Sequence, residues 1–268
     1  MITDLHFGEY LDSIKFIDFC KEIHKLSPKV VLIGGDFVQW DPSIAEELTK
    51  GLKELGSKYL CVGVLGNHDF YGGDSEKIAQ AIEDAGVKLL RSDWVETPAG
   101  WAICGVDDFV GAKLAPGEFE RRHGTLSSRA EVLDRLISQM PANRPKALLH
   151  HNPQIQSWIK TRASTANVKI MLAGHTHGGQ IEFNFGWGRF SKRIILSRFF
   201  YEWDKGPYFE PCSKVWIFTS VGLGVAGPEM RAGALREIAV IDMPDLRSTG
   251  AFHARGWNLE LMEGEKKQ

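Results

Sequence analysis

Five short apolar runs, each followed by residues able to bind a metal ion, constrain the fold of this chain more than any other feature. The run Val30–Ile33, for example, is too short for a helix and leads directly into Gly34-Gly35-Asp36. The five polar segments are Asp4-Leu5-His6, Gly35-Asp36, Gly66-Asn67-His68-Asp69, His150-His151-Asn152-Pro153 and Gly174-His175-Thr176-His177. Ligands bind at the carboxyl ends of strands in open α/β sheets, so we expect these segments to converge on one pocket.

Helical patterns lie between the apolar runs. Apolar residues recur at helical spacing from Leu11 to Leu26, and the pattern stops at Ser27-Pro28. Asp41-Pro42 supplies a cap and a first-turn proline for the next helix. Two further helices are predicted at Ser75–Ala85 and Ser128–Met140. Six strands are predicted at Val30–Ile33, Tyr59–Leu65, Val87–Leu90, Trp101–Val106, Ala147–Leu149 and Val168–Leu172. This β-α-β alternation predicts an α/β fold.

Two parts of the chain depart from the alternation. The segment Asp107–Thr125 is rich in glycine and charge and is predicted to be a loop. After Gln180, β-branched and aromatic runs predict a second, antiparallel sheet that contains Ile181–Phe185, Val215–Thr219 and Ile238–Ile241. Because no repeat or linker interrupts the chain, residues 1–268 are predicted to form a single domain.

Net charge, cysteine content and the lengths of the apolar runs limit which partners the protein binds and where in the cell it is expected to lie. The net charge of −2 gives no general attraction for nucleic acid, so no nucleic-acid binding is expected. The four scattered cysteines predict small buried thiols in a reducing compartment, and no apolar run approaches the roughly 20 residues that span a bilayer. A cytoplasmic location is therefore expected. Only three residues precede Asp4, which suggests that a further segment lies upstream. Because such a segment would be able to carry a membrane anchor, peripheral or anchored membrane association stays open.

Each polar segment alone has an ordinary structural explanation. Asp36 at a strand end is typical of a helix cap, and Asn67 is typical of a turn. A lone His6 or His151 is more often a partly buried polar residue than a ligand. Taken together, imidazole, carboxylate and amide ligands at five successive strand ends favour a metal site over five independent structural explanations.

The order Asp-x-His, Gly-Asp, Gly-Asn-His-Asp, His-x-Pro and Gly-His-x-His resembles that of the calcineurin-like metallophosphoesterases. The resemblance covers residues 4–177. The longer pattern Gly174–Gln180, with Gly222-Leu223-Gly224 and Arg231-Ala232-Gly233, looks like the bacterial YkuE/YaeI-type phosphodiesterases and the LpxG-type UDP-2,3-diacylglucosamine pyrophosphatases. The resemblance to this family implies a four-layer αββα sandwich in which two mixed β-sheets are flanked by helices.

The resemblance also implies roles for single residues. Asp4, His6 and His177 would hold one metal ion; Asn67, His151 and His175 would hold a second, and Asp36 would bridge them. From the chemistry of its side chain, His68 would be the general acid, with Asp69 orienting its ring, or it would only donate a hydrogen bond to a phosphate oxygen. His151 is preferred to His150 because the family pattern places the ligand two residues before proline.

These ligands suit two divalent ions such as Mn²⁺, Fe²⁺ or Zn²⁺ better than Mg²⁺, which prefers oxygen ligands. Two such ions can clamp a phosphate and activate a water, which predicts a phosphodiesterase or pyrophosphatase. The substrate would be a phosphoester, with lipid- and nucleotide-linked esters as the candidates. An aromatic-rich segment would either line the substrate site or merely pack over a sheet edge. Its aromatic residues are Phe199, Phe200, Tyr201, Trp203, Tyr208 and Phe209. A non-catalytic scaffold on the same fold is the alternative from another class.

Overall fold

The helices and strands of the computed structural model follow the predicted alternation over most of the chain. The structure describes residues 1–8, 10–123, 128–185, 192–195, 200–227, 230–243 and 253–258. The helices are α1 (Ser13–Leu26), α2 (Ala45–Gly56), α3 (His68–Tyr71), α4 (Ser75–Asp84), α5 (Gly111–Leu114), α6 (Pro116–His123), α7 (Arg129–Ser138) and α8 (Gln156–Thr161), with 3₁₀ helices at Pro42–Ile44 and His177–Gly179. The strands are β1 (Val30–Ile33), β2 (Leu60–Gly63), β3 (Val87–Leu89), β4 (Asp93–Glu96), β5 (Ala102–Val106), β6 (Lys146–His150), β7 (Val168–Ala173), β8 (Glu182–Phe185), β9 (Lys192–Ile195), β10 (Gly206–Glu210), β11 (Val215–Thr219), β12 (Glu237–Asp242) and β13 (His253–Asn258).

Two sheets carry the polar segments at their edges. Strands β1, β2 and β3 form a parallel sheet, and the second sheet has the order β10-β11-β7-β6-β5-β4. Strands β11, β7, β6 and β5 are parallel neighbours, whereas β10 and β4 are antiparallel edges. Parallel strands bring their carboxyl ends to one side, which places the predicted ligand segments together.

The first residues of the chain, which form an isolated bridge to β1 at Ile2, are held by hydrogen bonds on both sides. The backbone N–H of Ile2 donates to Leu32 (2.9 Å), and those of Asp4 and His6 donate to the carbonyls of Gly35 and Asp36 (3.0 Å each). On the other side, Met1 exchanges two hydrogen bonds with Ala239 of β12. The first residues therefore extend the first sheet and deliver Asp4 and His6 beside Asp36.

Three apolar cores separate four layers. One core lies between α1, α2, α4 and the first sheet, and includes Val31 and Ile33 of β1. A second core packs α7 and α8 on the outer face of the second sheet. The third joins the sheets, since Leu32 of β1 packs in the same cluster as Leu149 of β6. Alternate strand residues thus face opposite layers, which gives the mixed α/β sandwich of two sheets flanked by helices that was predicted.

The prediction of a loop over Asp107–Thr125 was wrong, because α5 and α6 form there. Residues 124–127 lie outside the described part of the chain. Few apolar residues mark these helices; instead, the Asp108 carboxylate accepts a hydrogen bond from the Val110 N–H at the start of α5 (2.8 Å). Glu118 of α6 forms an ion pair with Arg91. A local hydrogen bond at the start of α5 and a distant ion pair at α6 support these helices, and hydrophobic periodicity reveals neither.

Two smaller expectations also need correction. Val215–Thr219 does not belong to a separate antiparallel sheet, because β11 pairs in parallel with β7 and extends the second sheet. The segments around Ile181–Phe185 and Ile238–Ile241 lie in two separate antiparallel pairs, β8-β9 and β12-β13, and not in one sheet as predicted. Cys212 is exposed, whereas the other three cysteines are buried as expected. Among the described residues, no helix is both long and apolar enough to cross a membrane.

Candidate metal centre

Backbone conformation distinguishes the ends of the ligand-bearing strands. Five residues predicted to bind metal have a positive φ between 49° and 72°: Asp4, His6, Asp36, His175 and His177. Non-glycine residues rarely adopt this left-handed region; each such residue costs about 1–3 kcal/mol and persists only where its surroundings impose it. Strain of this kind clusters at functional sites. The fold therefore maintains unfavourable backbone geometry where these side chains converge.

The first group of converging side chains is Asp4, His6 and His177, all buried. The Nε2 atoms of His6 and His177 lie 3.0 Å apart, and Asp4 Oδ1 lies 3.5 Å from His177 Nε2. Asp4 is further fixed by the backbone N–H of His175, which donates to its carboxylate at 3.0 and 3.1 Å. Three donor atoms therefore face a common point.

The second group contains Asn67, His151 and His175. The backbone carbonyl of Gly34 lies 2.7 Å from His151 Nδ1, which turns the other ring nitrogen inward. That Nε2 lies 3.2 Å from Asn67 Oδ1 and 3.3 Å from His175 Nδ1. The second group thus also presents its donor atoms to one point.

Asp36 lies between the two groups. Its Oδ2 is 3.6 Å from His6 Nε2 and 3.2 Å from His151 Nε2. Its Oδ1 accepts a hydrogen bond from the backbone N–H of His68 (2.8 Å). One carboxylate oxygen therefore faces donors of both groups.

The spacing of these donor atoms fits metal coordination. Bonds of about 2.0–2.1 Å from one ion to nitrogen place two ligand atoms about 2.9–3.4 Å apart, close to the observed 3.0–3.6 Å. Two three-residue sets, Asp4 with His6 and His177 and Asp36 with His151 and His175, have ligand atoms within 4.8 Å of one another. The residues present can accommodate divalent ions.

Electrostatics favours neutral imidazoles around one charged pair. Burial lowers the pKa of His6 to about 3, and burial together with the charge of His151 lowers the pKa of His175 to about 4. Although burial opposes it, the Asp36 carboxylate raises the pKa of His151 to about 10. Burial, with the nearby charge of Asp36, raises the pKa of Asp4 to about 6. A divalent ion would displace the His151 proton and stabilise both carboxylates.

His68 lies at the open side of the cluster and is only half-buried. Its Nδ1 is 2.5 Å from the backbone carbonyl of Gln39, which fixes the ring. Its ligand atom lies within 4.8 Å of those of His6 and Asp36. A half-buried imidazole therefore lies beside the donor atoms of the cluster.

Asp69 does not orient the His68 ring as expected. Its buried carboxylate accepts hydrogen bonds from the backbone N–H groups of Phe37 (2.8 Å), Val38 (3.1 Å) and Gly66 (2.8 Å). Burial, with the charge of Asp36, raises the pKa of Asp69 to about 8. Asp69 therefore joins the two loops that carry Asp36 and His68, and the Gln39 carbonyl holds the ring.

Glycines in the motifs allow close packing around the carboxylates. A Cβ on Gly66 would overlap Oδ1 of Asp36, and one on Gly174 would overlap Oδ2 of Asp4. Neither glycine has a positive φ. The space beside the Asp36 and Asp4 carboxylates is therefore what requires glycine at these two positions.

Two outer contacts were not predicted. The Tyr201 hydroxyl lies 2.8 Å from Nε2 of His175. The buried guanidinium of Arg231 donates to backbone carbonyls, including that of Val221 (2.7 Å), and lies 3.2 Å from Nδ1 of His177. The aromatic run and the Arg-Ala-Gly pattern marked these residues, but not their contacts.

The rest of the aromatic-rich segment is divided. Trp203 is buried in the core beside the second sheet, whereas Phe200 and Phe209 are exposed. Phe199 lies outside the described residues. Within the described part of this segment, Tyr201 contacts a predicted ligand, His175.

The fold and its converging donor atoms are those of an α/β protein that can bind divalent metal ions. Residues 1–179 match the sequence profile of calcineurin-like phosphoesterases, so the chain belongs to this family. Its members are hydrolases of phosphoesters that use divalent metal ions.

Individual relatives agree with the family assignment. An uncharacterized metallophosphoesterase of Aquifex aeolicus is 27% identical over 89% of this chain and 82% of its own length. Phosphodiesterase YaeI of Escherichia coli is 24% identical over 67% of this chain and 60% of its own length. Other relatives, from Helicobacter pylori, are covered over only 58% of their length. The crystal structure of TT1561 of Thermus thermophilus has a TM-score of 0.54 at 11% identity, covers 91% of this chain and 92% of that chain, and shares the fold.

Proposed function

We propose that this chain hydrolyses phosphodiester or pyrophosphate bonds with two divalent metal ions bound at the described cluster. The observation that carries the proposal is the position of Asp36, one oxygen of which faces His6 on one side and His151 on the other. A shared anion between two cation sites offsets the repulsion between the ions. The arrangement therefore supports a paired site rather than two separate ones.

The ligand sets follow from the two groups of donor atoms. Asp4, His6 and His177 would hold the first ion, and Asn67, His151 and His175 would hold the second. Asp36 would be shared between them. When bound, the ions would neutralise the phosphate charge and activate a water for attack on phosphorus. The chain supplies three imidazoles whose pKa values are lowered by burial, so their ring nitrogens are available at neutral pH.

His68 is proposed to act on the departing oxygen. Since Nδ1 donates to the Gln39 carbonyl, Nε2 is the nitrogen free to contact a substrate. A protonated His68 would donate its proton to the leaving oxygen, a role typically worth about 10²–10⁴ in rate. Asp69 contributes by holding the loop, not by contacting the ring.

Mixed nitrogen and oxygen donors favour Mn²⁺, Fe²⁺ or Zn²⁺ over Mg²⁺. Diester or pyrophosphate substrates are favoured because a relative, at low identity, bears the name phosphodiesterase. The UDP-2,3-diacylglucosamine-type pyrophosphatase reaction remains a narrower form of the same proposal, and its substrate is lipid- and nucleotide-linked.

The test is a substrate and metal screen. Protein freed of metal and reloaded with each ion is assayed on bis(p-nitrophenyl) phosphate, p-nitrophenyl phosphate and a nucleotide sugar. We expect a diester or pyrophosphate to be hydrolysed with Mn²⁺, Fe²⁺ or Zn²⁺ at a rate well above that of the monoester. A chain that binds no ion after anaerobic loading would instead support a non-catalytic scaffold.

A matched pair of histidine variants tests the acid role. His68→Asn should retain both metal ions and lose about 10²–10⁴ in turnover. His24→Asn is the control, because His24 is bound to Tyr59 and Glu54 away from the cluster. Wild-type turnover in His68→Asn would rule out the acid role.

A further inference from the structure

Two large aromatic side chains beside His68 remain half exposed. Trp40 is 57% exposed and Tyr71 is 50% exposed. The Trp40 ring lies 6.4 Å from the His68 ring, centroid to centroid, at an interplanar angle of 26°. The Tyr71 ring lies 4.9 Å from it at 66°. Apolar ring surface is therefore open to solvent next to the proposed acid.

Both aromatic residues are anchored to the loops that build the site. Tyr71 Oη accepts a hydrogen bond from Asn67 Nδ2 at 3.0 Å. Trp40 directly follows Gln39, whose carbonyl holds His68. A Cβ on Gly72 would overlap the Trp40 carbonyl, so the end of α3 packs closely against this backbone. The backbone around the two rings is fixed by the same contacts that position His68 and Asn67.

We propose that Trp40 and Tyr71 form a subsite for the leaving group, and that this group carries a flat aromatic ring. The inference rests on the proposed function. In diester hydrolysis, the oxygen of the attacking water forms the new bond to phosphorus and its proton passes to solvent. The bond to the leaving oxygen breaks, that oxygen keeps the electron pair and takes the His68 proton, and solvent then returns a proton to His68. The group attached to that oxygen must then lie beside His68, against the two aromatic rings.

The aromatic rings of Trp40 and Tyr71 favour a leaving group that is itself flat and aromatic. Aromatic faces stack on flat π systems, and the loss of one such stacking residue weakens binding of a base about 5- to 150-fold. An aryl or nucleobase-bearing leaving group can use this surface. A small alkyl leaving group cannot, and the retained substituent of the phosphate lies away from His68.

The experiment compares three diesters that differ in where the ring lies. Methyl phenyl phosphate has an aryl leaving group, methyl hexafluoroisopropyl phosphate has an alkyl leaving group of similar acidity, and benzyl hexafluoroisopropyl phosphate has its ring on the retained side. The variants are Trp40→Leu and Trp40→Phe, with metal content and circular dichroism recorded for each. Trp216→Ala is the control, because Trp216 packs on Phe209 of β10.

Trp40→Leu should reduce kcat/KM for the phenyl leaving group about 5- to 150-fold, while changing it less than about twofold for the other two diesters. Trp40→Phe should retain most of the aryl preference, and Trp216→Ala should match the wild type. Equal losses on all three diesters, a larger loss for the retained benzyl ring, or no loss in Trp40→Leu would overturn the subsite. Failure of the wild type to hydrolyse any of the three would instead count against the proposed function.

Discussion

Replacing Tyr201 with phenylalanine should weaken one metal position and leave the other intact. The change removes one hydroxyl, which lies 2.8 Å from Nε2 of His175, and keeps the ring. A hydrogen bond to the outer nitrogen fixes the tautomer and the direction of a metal-binding imidazole. Loss of such a partner typically lowers metal affinity about 10- to 100-fold, which corresponds to about 1.4–2.7 kcal/mol. The weakened position should be the second, to which His175 belongs.

The assay is a calorimetric titration of the metal-free protein with Mn²⁺ and with Zn²⁺. Tyr59→Phe is a matched control, since the Tyr59 hydroxyl lies 2.9 Å from Nδ1 of His24, away from the cluster. We expect one wild-type affinity and one weakened affinity in Tyr201→Phe, and two wild-type affinities in the control. Two unchanged affinities in Tyr201→Phe would refute the positioning of His175 by this hydroxyl.

Three further predictions concern packing, stability and thiol reactivity. Gly66→Ala should reduce metal content, measured by mass spectrometry, because the new methyl overlaps Asp36; full occupancy would contradict this steric account. Arg91→Leu should lower the free energy of unfolding, measured in urea, by about 3–5 kcal/mol. The Arg91 guanidinium lies 2.7 Å from the buried Asp107 carboxylate, which the substitution leaves unpaired. A change under about 1 kcal/mol would show that the ion pair is not needed. Iodoacetamide at pH 8 should modify Cys212 alone in the native protein, because Cys212 is exposed. Burial shields the other three thiols from the reagent and raises their pKa to about 12. Rapid modification of all four thiols would contradict this account.

Local sequence patterns predicted the strands that deliver the ligands. A short apolar run ending in glycine, as at Val30–Ile33, depends mainly on its own residues and their burial, and β1 forms there as predicted. The segment before Asp4 was harder to place, because its pairing partners are β1 and β12, far along the chain. Long-range hydrogen bonds supply the order that three residues cannot supply alone.

The errors share a physical cause. Helices α5 and α6 are stabilised by polar contacts to residues such as Arg91, which periodicity within the segment does not reveal. Asp69 follows His68 directly, yet its carboxylate turns toward three backbone N–H groups instead. Tyr201 reaches His175 across the fold. Spacing along the chain predicted which residues converge, but not which outer groups hold them.

The most direct test of the paired metal site is the metal content of the wild type and of Asp36→Asn after equal loading and dialysis. The neutral amide keeps the shape of the side chain and removes the charge that faces both His6 and His151. We predict two ions per wild-type chain, and at most one tightly bound ion with loss of diester hydrolysis in Asp36→Asn. Two tightly bound ions in Asp36→Asn, or full activity of a wild-type chain that holds a single ion, would contradict the paired site.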